Sequence, residues 1–253
     1  MYYLLRRAAM SAVVELRMMD LASQKSERLL PDFSVVGYSV SRDDEEVAVT
    51  ITAEDRSLEI WVATLDRRTA PRRIVQGGDH VFFGAQRDLI FRAIEGHQNF
   101  MTRIGLDGQN RVRISDANAV DVLGSSPDGR WVIFSTSQAD QSATLAVPVY
   151  GGETEVLCHA LCDPKWSPDT TWLYLRAWFE SPGKTLMVRL QPGQPFPPFR
   201  ADGGDAFTAW QKLPGATTET RDASIPGNDP STYITTKYDE RRNLYRIPLL
   251  SNP

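Results

Sequence analysis

Short apolar runs alternate with polar positions along almost the whole chain, and Gly, Pro, Asn and Asp interrupt them every few residues. An alternation of period two predicts strands with one face turned inward, and the close punctuation predicts many short strands joined by tight turns. The runs also keep time. A first strand ends near Val40, Phe82, Ser125, Trp166 and Trp210, at intervals of 42, 43, 41 and 44 residues. A second ends near Val49, Phe91, Phe134 and Leu175, nine residues later in every case. A third ends at Leu65, Leu106, Tyr150 and Leu190, a further 15 or 16 residues on.

Carried backward from Leu21, the same spacing reaches Leu5; carried backward from Leu249, it reaches Tyr233. The chain therefore reads as three strands of one repeat, four complete repeats and three strands of another. A four-stranded meander of this size cannot bury both faces alone, and radial stacking of such sheets is the usual solution. The expected fold is all-β, a β-propeller of about six four-stranded antiparallel blades with the first and last blades incomplete. The expected organisation is a single propeller domain over residues 1–253, with repeats at approximately 1–31, 32–76, 77–117, 118–160, 161–202 and 203–253.

Between the first and second strands stands Ser126-Pro127-Asp128-Gly129, repeated as Ser167-Pro168-Asp169-Thr170, as Ser41-Arg42-Asp43-Asp44 and, more distantly, as Gly84-Ala85-Gln86-Arg87. Pro fixes φ, Asp bonds its own backbone and Gly accepts a positive φ, so these residues read as a folding turn and not as catalytic groups. The last repeat is 14 residues too long; the surplus falls between Lys212 and Pro230, where residues 215–222 and their Pro- and Gly-rich continuation read as a long loop. Such a loop can carry binding or cover an exposed edge. With strands missing at both ends, the ring reads as truncated or as left open, and the chain as starting inside a blade.

The charge balance adds exclusions. There are 28 Lys and Arg against 32 Asp and Glu, a net charge of −4, and no basic run exceeds a pair, which argues against a nucleic-acid footprint. No stretch approaches the ~20 apolar residues of a membrane span, and the run 8–14 after Arg6-Arg7 is too short for a good signal peptide. A nucleophile elbow is missing, since Gly124-Ser125-Ser126-Pro127-Asp128 lacks its second Gly, and there is no kinase signature. No catalytic, cofactor-binding or metal-ligating residue is assigned, and no cofactor is expected.

The residues 126–134 and 166–174 resemble the WD-repeat-like propeller motif of the TolB-like family. The end of the chain, Pro230-Ser231-Thr232-Tyr233 with Arg241-Arg242-Asn243-Leu244-Tyr245, is similar to the close of propellers attached to bacterial membrane-anchored serine/threonine kinases and winged-helix regulators. That resemblance implies a non-catalytic sensor or scaffold module of a larger signalling protein, binding a protein or small ligand and monomeric as a domain. Two alternatives stand beside it: a hydrolase or lyase with a carboxylate site in the propeller channel, and a stand-alone periplasmic TolB-like protein.

Four local features bear on that choice. Cys158-His159-Ala160-Leu161-Cys162 lies where one repeat passes to the next, far in sequence from His80 and His97, so a four-ligand zinc site is disfavoured. Similar kinase-linked propellers carry a cysteine pair here, and a Cys158–Cys162 disulfide would imply an oxidising, extracytoplasmic compartment; two reduced cysteines remain the alternative. Asp43-Asp44-Glu45-Glu46 occupies a turn slot and lacks calcium-loop spacing, so it reads as a solvated turn. Of the six tryptophans, Trp61, Trp131, Trp166, Trp172 and Trp210 read as packing between blades, while Trp178 with Phe179 reads as a candidate binding loop.

Overall fold

The computed structural model describes residues 1–6, 13–138, 141–177, 184–199, 205–220, 224–226, 231 and 233–235. Trp178, Phe179 and the run 241–249 lie outside them. Strands β1 (Tyr2–Arg6), β2 (Val14–Met19) and β3 (Ser26–Leu29) form a three-stranded meander. The second blade is β4 (Val35–Val40), β5 (Glu46–Thr52), β6 (Leu58–Thr64) and β7 (Arg72–Gln76). The third is β8 (Gly78–Phe83), β9 (Asp88–Glu95), β10 (Gln98–Gly105) and β11 (Val112–Arg113). The fourth is β12 (Asp121–Ser125), β13 (Trp131–Gln138), β14 (Gln141–Pro148) and β15 (Glu155–Cys158). The fifth begins with β16 (Cys162–Trp166), β17 (Trp172–Ala177) and β18 (Lys184–Arg189). All pairings within these sheets are antiparallel.

Among the described residues the propeller has five blades, not the six expected. The difference arises after Leu190. The apolar run ending at Trp210 is not a first strand but a short helix, α1 (Ala206–Trp210), whose N-cap Asp205 accepts the Thr208 N–H at 2.8 Å. The segment 215–222, read as an inserted loop, instead supplies β19 (Thr217–Thr220), which pairs with β18 as the fourth strand of the fifth blade. The extra residues thus lengthen the connection between the third and fourth strands of blade five. After β19, the described residues form a two-stranded hairpin, β20 (Ser224–Pro226) with β21 (Tyr233–Thr235), and not a blade.

Packing explains why the strand spacing was nevertheless legible. The middle strands are buried on both faces because each sheet is sandwiched by its neighbours. Alternate residues then serve opposite neighbours, as the pleat requires. On β9, Leu89, Phe91 and Ala93 pack with Ala48, Ile60 and Val62 of blade two, whereas Ile90 packs with Val132 and Phe134 of blade four. On β13, Ile133 turns the other way, into a cluster with Leu173, Leu175 and Leu186 of blade five. Blade one joins blade two through Leu16 and Leu29 against Val47, Val49 and Ile51. The core is therefore a series of apolar layers between blades, and every blade needs its neighbours.

Candidate interaction face

The turns between first and second strands are built alike. Ser41, Ser126 and Ser167 donate their hydroxyls to Asp43, Asp128 and Asp169 at 2.6, 2.5 and 2.6 Å. Each hydroxyl oxygen also accepts the first N–H of the returning strand, from Glu46, Trp131 and Trp172 at 2.9, 3.0 and 2.9 Å. The next position holds a positive φ in all three: Asp44 at 56°, Gly129 at 68° and Thr170 at 58°. Hydrogen bonds from serine and from backbone N–H groups hold the Asp43 and Asp169 carboxyls below the usual range. These acids are spent on the turn itself.

Blade three departs from the pattern. Its turn is one residue shorter, with Gly84 N–H donating to the Asp88 carbonyl at 2.9 Å. The turn acid is replaced by Asp88, whose Oδ1 accepts the Tyr150 hydroxyl of blade four at 2.8 Å. Tyr150 Oη in turn accepts the Gln86 N–H at 3.0 Å. The Gly129 turn sits directly on this one: a Cβ at Gly129 would lie 2.9 Å from the Gly84 carbonyl carbon and from the Ala85 nitrogen. A glycine is required there by both its φ and this backbone approach.

These turns converge on a groove of about 690 Å³ lined by Ser41, Arg42, Asp43, Glu46, Arg87 and Asp128. Arg42 crosses it, donating from blade two to the Pro127 carbonyl of blade four at 2.5 Å. Beyond this bridge a second hollow of about 340 Å³ continues past Trp166, Thr170 and Gln194. Its far wall is the long connection of blade five. Trp166 donates its indole N–H to the Pro195 carbonyl at 2.6 Å, and Trp210 donates to the Pro198 carbonyl at 3.1 Å. Phe196 contacts the rings of Trp131, Trp166, Phe199 and Trp210 at centroid distances of 5.4 to 6.0 Å. This aromatic cluster fastens the insertion over the junction of blades four and five. Blades two to five therefore present two adjoining hollows along the turn face, at whose rim Arg87 stands 84% exposed, 3.9 Å from Glu46.

Buried carboxylates elsewhere are tied into the blades. Arg92 holds both oxygens of Asp79, at 2.7 and 2.6 Å, and reaches the Val120 carbonyl next to blade four at 2.6 Å. Burial pushes the Asp79 carboxyl up, but hydrogen bonds from His80 and Arg92 outweigh it and bring it down to about 2. His80 lies beside it with Nδ1 2.9 Å from Asp79, in a positive-φ conformation of 50°. Asp88 is likewise enclosed, with Arg103 at 3.4 Å and stacked over the Tyr150 ring at 5.1 Å. Both clamps lie within blade three, and a carboxylate so engaged is a poor general base.

The residues singled out from the sequence take varied places. Cys158 ends β15 and Cys162 opens β16; both are fully buried, and the structure joins them, with Cα atoms 6.2 Å apart. Thr144 supports the link by donating its hydroxyl to the Ala160 carbonyl and accepting the Cys162 N–H. Among the described residues no three His, Cys, Asp or Glu side chains converge as metal ligands, and no helix is long and apolar enough to cross a membrane. Trp131 and Trp172 occupy equivalent positions after their turns, and Trp61 packs on Phe33 at 5.1 Å. Sequence reasoning missed Arg42, Arg87 and the Asp88–Tyr150 pair, whose one visible sign was the loss of the Ser-x-Asp pattern at residues 84–87.

No protein-family model and no curated protein sequence matches the chain. Solved structures do resemble it. TolB from Acinetobacter baumannii superposes with a TM-score of 0.61 at 17% identity, over 76% of this chain and 51% of that one. The putative TolB from Agrobacterium tumefaciens gives 0.56 at 17%, over 76% and 74%. An oligogalacturonate lyase in complex with manganese gives 0.55 at 12%, over 71% and 58%. The chain thus spans about half the length of the first of these and under two thirds of the third. At such identities the likeness is one of fold, and the fold is that of the TolB-like β-propellers.

Proposed function

We propose that this chain is a non-catalytic binding module that presents its turn face to a partner protein or small ligand, as the sensor or interaction propeller of a larger bacterial signalling protein. The observation that carries the reading is the pair of adjoining hollows shared by blades two to five, spanned by Arg42 and flanked by the exposed Arg87. Their walls are rigid because the turns of blades two, four and five are fastened by their own Ser–Asp hydrogen bonds and that of blade three by Tyr150, with Gly129 packed against it. A rigid surface carrying loops binds with little ordering cost. The clamped state of Asp79 and Asp88 supports binding over carboxylate chemistry. The buried Cys158–Cys162 link supports an oxidising, extracytoplasmic setting.

The test is a double substitution, Arg42→Ala with Arg87→Glu, in the full-length parent expressed in its native cells. Proteins that co-purify with the wild type should be lost from a variant whose melting temperature is unchanged. Retention of every partner would remove the turn face from the account.

A further inference from the structure

The long connection of blade five, which walls the second hollow of the turn face, has another pocket behind it. Its volume is about 430 Å³, within the range of ligand sites. Gln194 and Pro195 line both spaces, and the sides are built by Trp131, Val188, Phe199, Leu213 and Pro214. The rings of Trp131 and Phe199 lie 5.7 Å apart, so two aromatic surfaces stand side by side.

The connection shows how these indoles treat proline. Pro195, Pro197 and Pro198 each fix φ at about −65° and push the residue before them to an extended ψ, which biases this run toward the polyproline II form. Carbonyls in that form have no partner within the helix and are open to outside donors. Trp166 meets the carbonyl of Pro195 and Trp210 that of Pro198, three residues on, which is one polyproline II turn. Trp131 is the third indole packed on Phe196, but its indole N–H donates to nothing among the described residues, and its ring is only partly buried. The polar rim adds a charge. Among the described residues no acid lines the pocket, and the exposed Arg189 lines it without an ion-pair partner.

We propose that this pocket docks a proline-rich segment of a partner protein that carries an acidic residue. Its proline rings lie on Trp131, Phe199 and Pro214, one of its carbonyls accepts the Trp131 indole N–H, and its carboxylate meets Arg189. Such a segment suits an aromatic groove because it is already extended and loses little conformational freedom on binding. The unpaired guanidinium sets the sign of the partner's charge.

Isothermal titration of the whole chain with a blocked hexaproline peptide ending in two aspartates tests this. Saturable one-to-one binding is expected. A peptide with glycine and serine in place of the prolines should bind roughly tenfold more weakly, since it must be ordered on binding. One with lysines in place of the aspartates should bind roughly fivefold more weakly. Trp131→Phe keeps a ring and removes the donor, and should weaken the aspartate peptide about fivefold. Arg189→Glu, at an exposed position, should reverse the preference so that the lysine peptide binds better, an outcome that misfolding does not produce. Arg42→Ala with Arg87→Glu should leave these affinities unchanged, which separates this pocket from the turn face. No saturable binding, equal binding of the glycine and serine peptide, unweakened binding to Trp131→Phe, or a retained preference for aspartate in Arg189→Glu would overturn the proposal.

Discussion

The hydroxyl of Tyr150, at the end of the third strand of blade four, donates to Asp88 Oδ1 of blade three at 2.8 Å. Asp88 is 3% exposed, so the bond seals one end of the junction between the two blades. Burial, with the Asp88 carboxylate alongside, pushes the Tyr150 hydroxyl up to about 12. Its folded value lies above its unfolded value, so the fold favours the protonated phenol. The resulting stability should be intact below about pH 10 and lost as pH rises through about 12. Tyr150→Phe should cost about 1–3 kcal/mol at neutral pH and should flatten this alkaline limb in denaturant titrations.

At the opposite end of that junction, Arg92 clamps Asp79, whose carboxyl lies at about 2 in the fold against 3.8 as the ordinary value. A depressed carboxylate contributes stability above its unfolded value and loses it as pH falls through the folded one. The advantage of the wild type over Asp79→Asn should therefore be full above about pH 4 and shrink toward pH 2. Leaving Arg92 without its acid should cost about 3 kcal/mol at neutral pH, read from urea midpoints.

The equivalent turn positions Gly129 and Thr170 should respond in opposite senses. Thr170 holds φ 58° with a β-branched side chain, so Thr170→Gly should stabilise by about 1 kcal/mol. Gly129→Ala adds both an unfavourable φ of 68° and a carbon 2.9 Å from the backbone of blade three, and should cost about 3 kcal/mol. Thermal melts of the two variants decide the matter.

Reduction or removal of the Cys158–Cys162 link should matter modestly, because the cysteines are only four residues apart. A loop this short accounts for about 2 kcal/mol of denatured-state entropy. Cys158→Ala with Cys162→Ala should lower the melting temperature by about 4–8 °C. Alkylation and mass measurement of the native protein should find no free thiol; two would sever the argument for an oxidising compartment.

The strand spacing was readable because the burial that sets it is local. Val49, Phe91, Phe134 and Leu175 each sit in the doubly covered middle strand, and every blade repeats that demand. The Ser-Pro-Asp turn was readable for the same reason, since serine, aspartate and the positive-φ residue are adjacent in sequence. The number of blades was not. Trp210 ends an apolar run that looks like a strand, but its neighbours are Phe196 and Phe199 of the same long connection, and the run packs as a helix. Contacts across the ring were hidden too: Arg42 and Pro127 are 85 residues apart, and Asp88 and Tyr150 are 62 apart. No spacing rule links such pairs until the blades are stacked.

The central claim, that the turn face is the binding surface, is tested most directly by site-specific photo-crosslinking in native cells. A photoreactive residue at Arg87, on the turn face, is compared with one at His97, on the hairpin at the other end of β9. The account predicts a discrete adduct from position 87 and none from position 97. Adducts from position 97 alone would place the binding surface at the opposite end of the blades and contradict it.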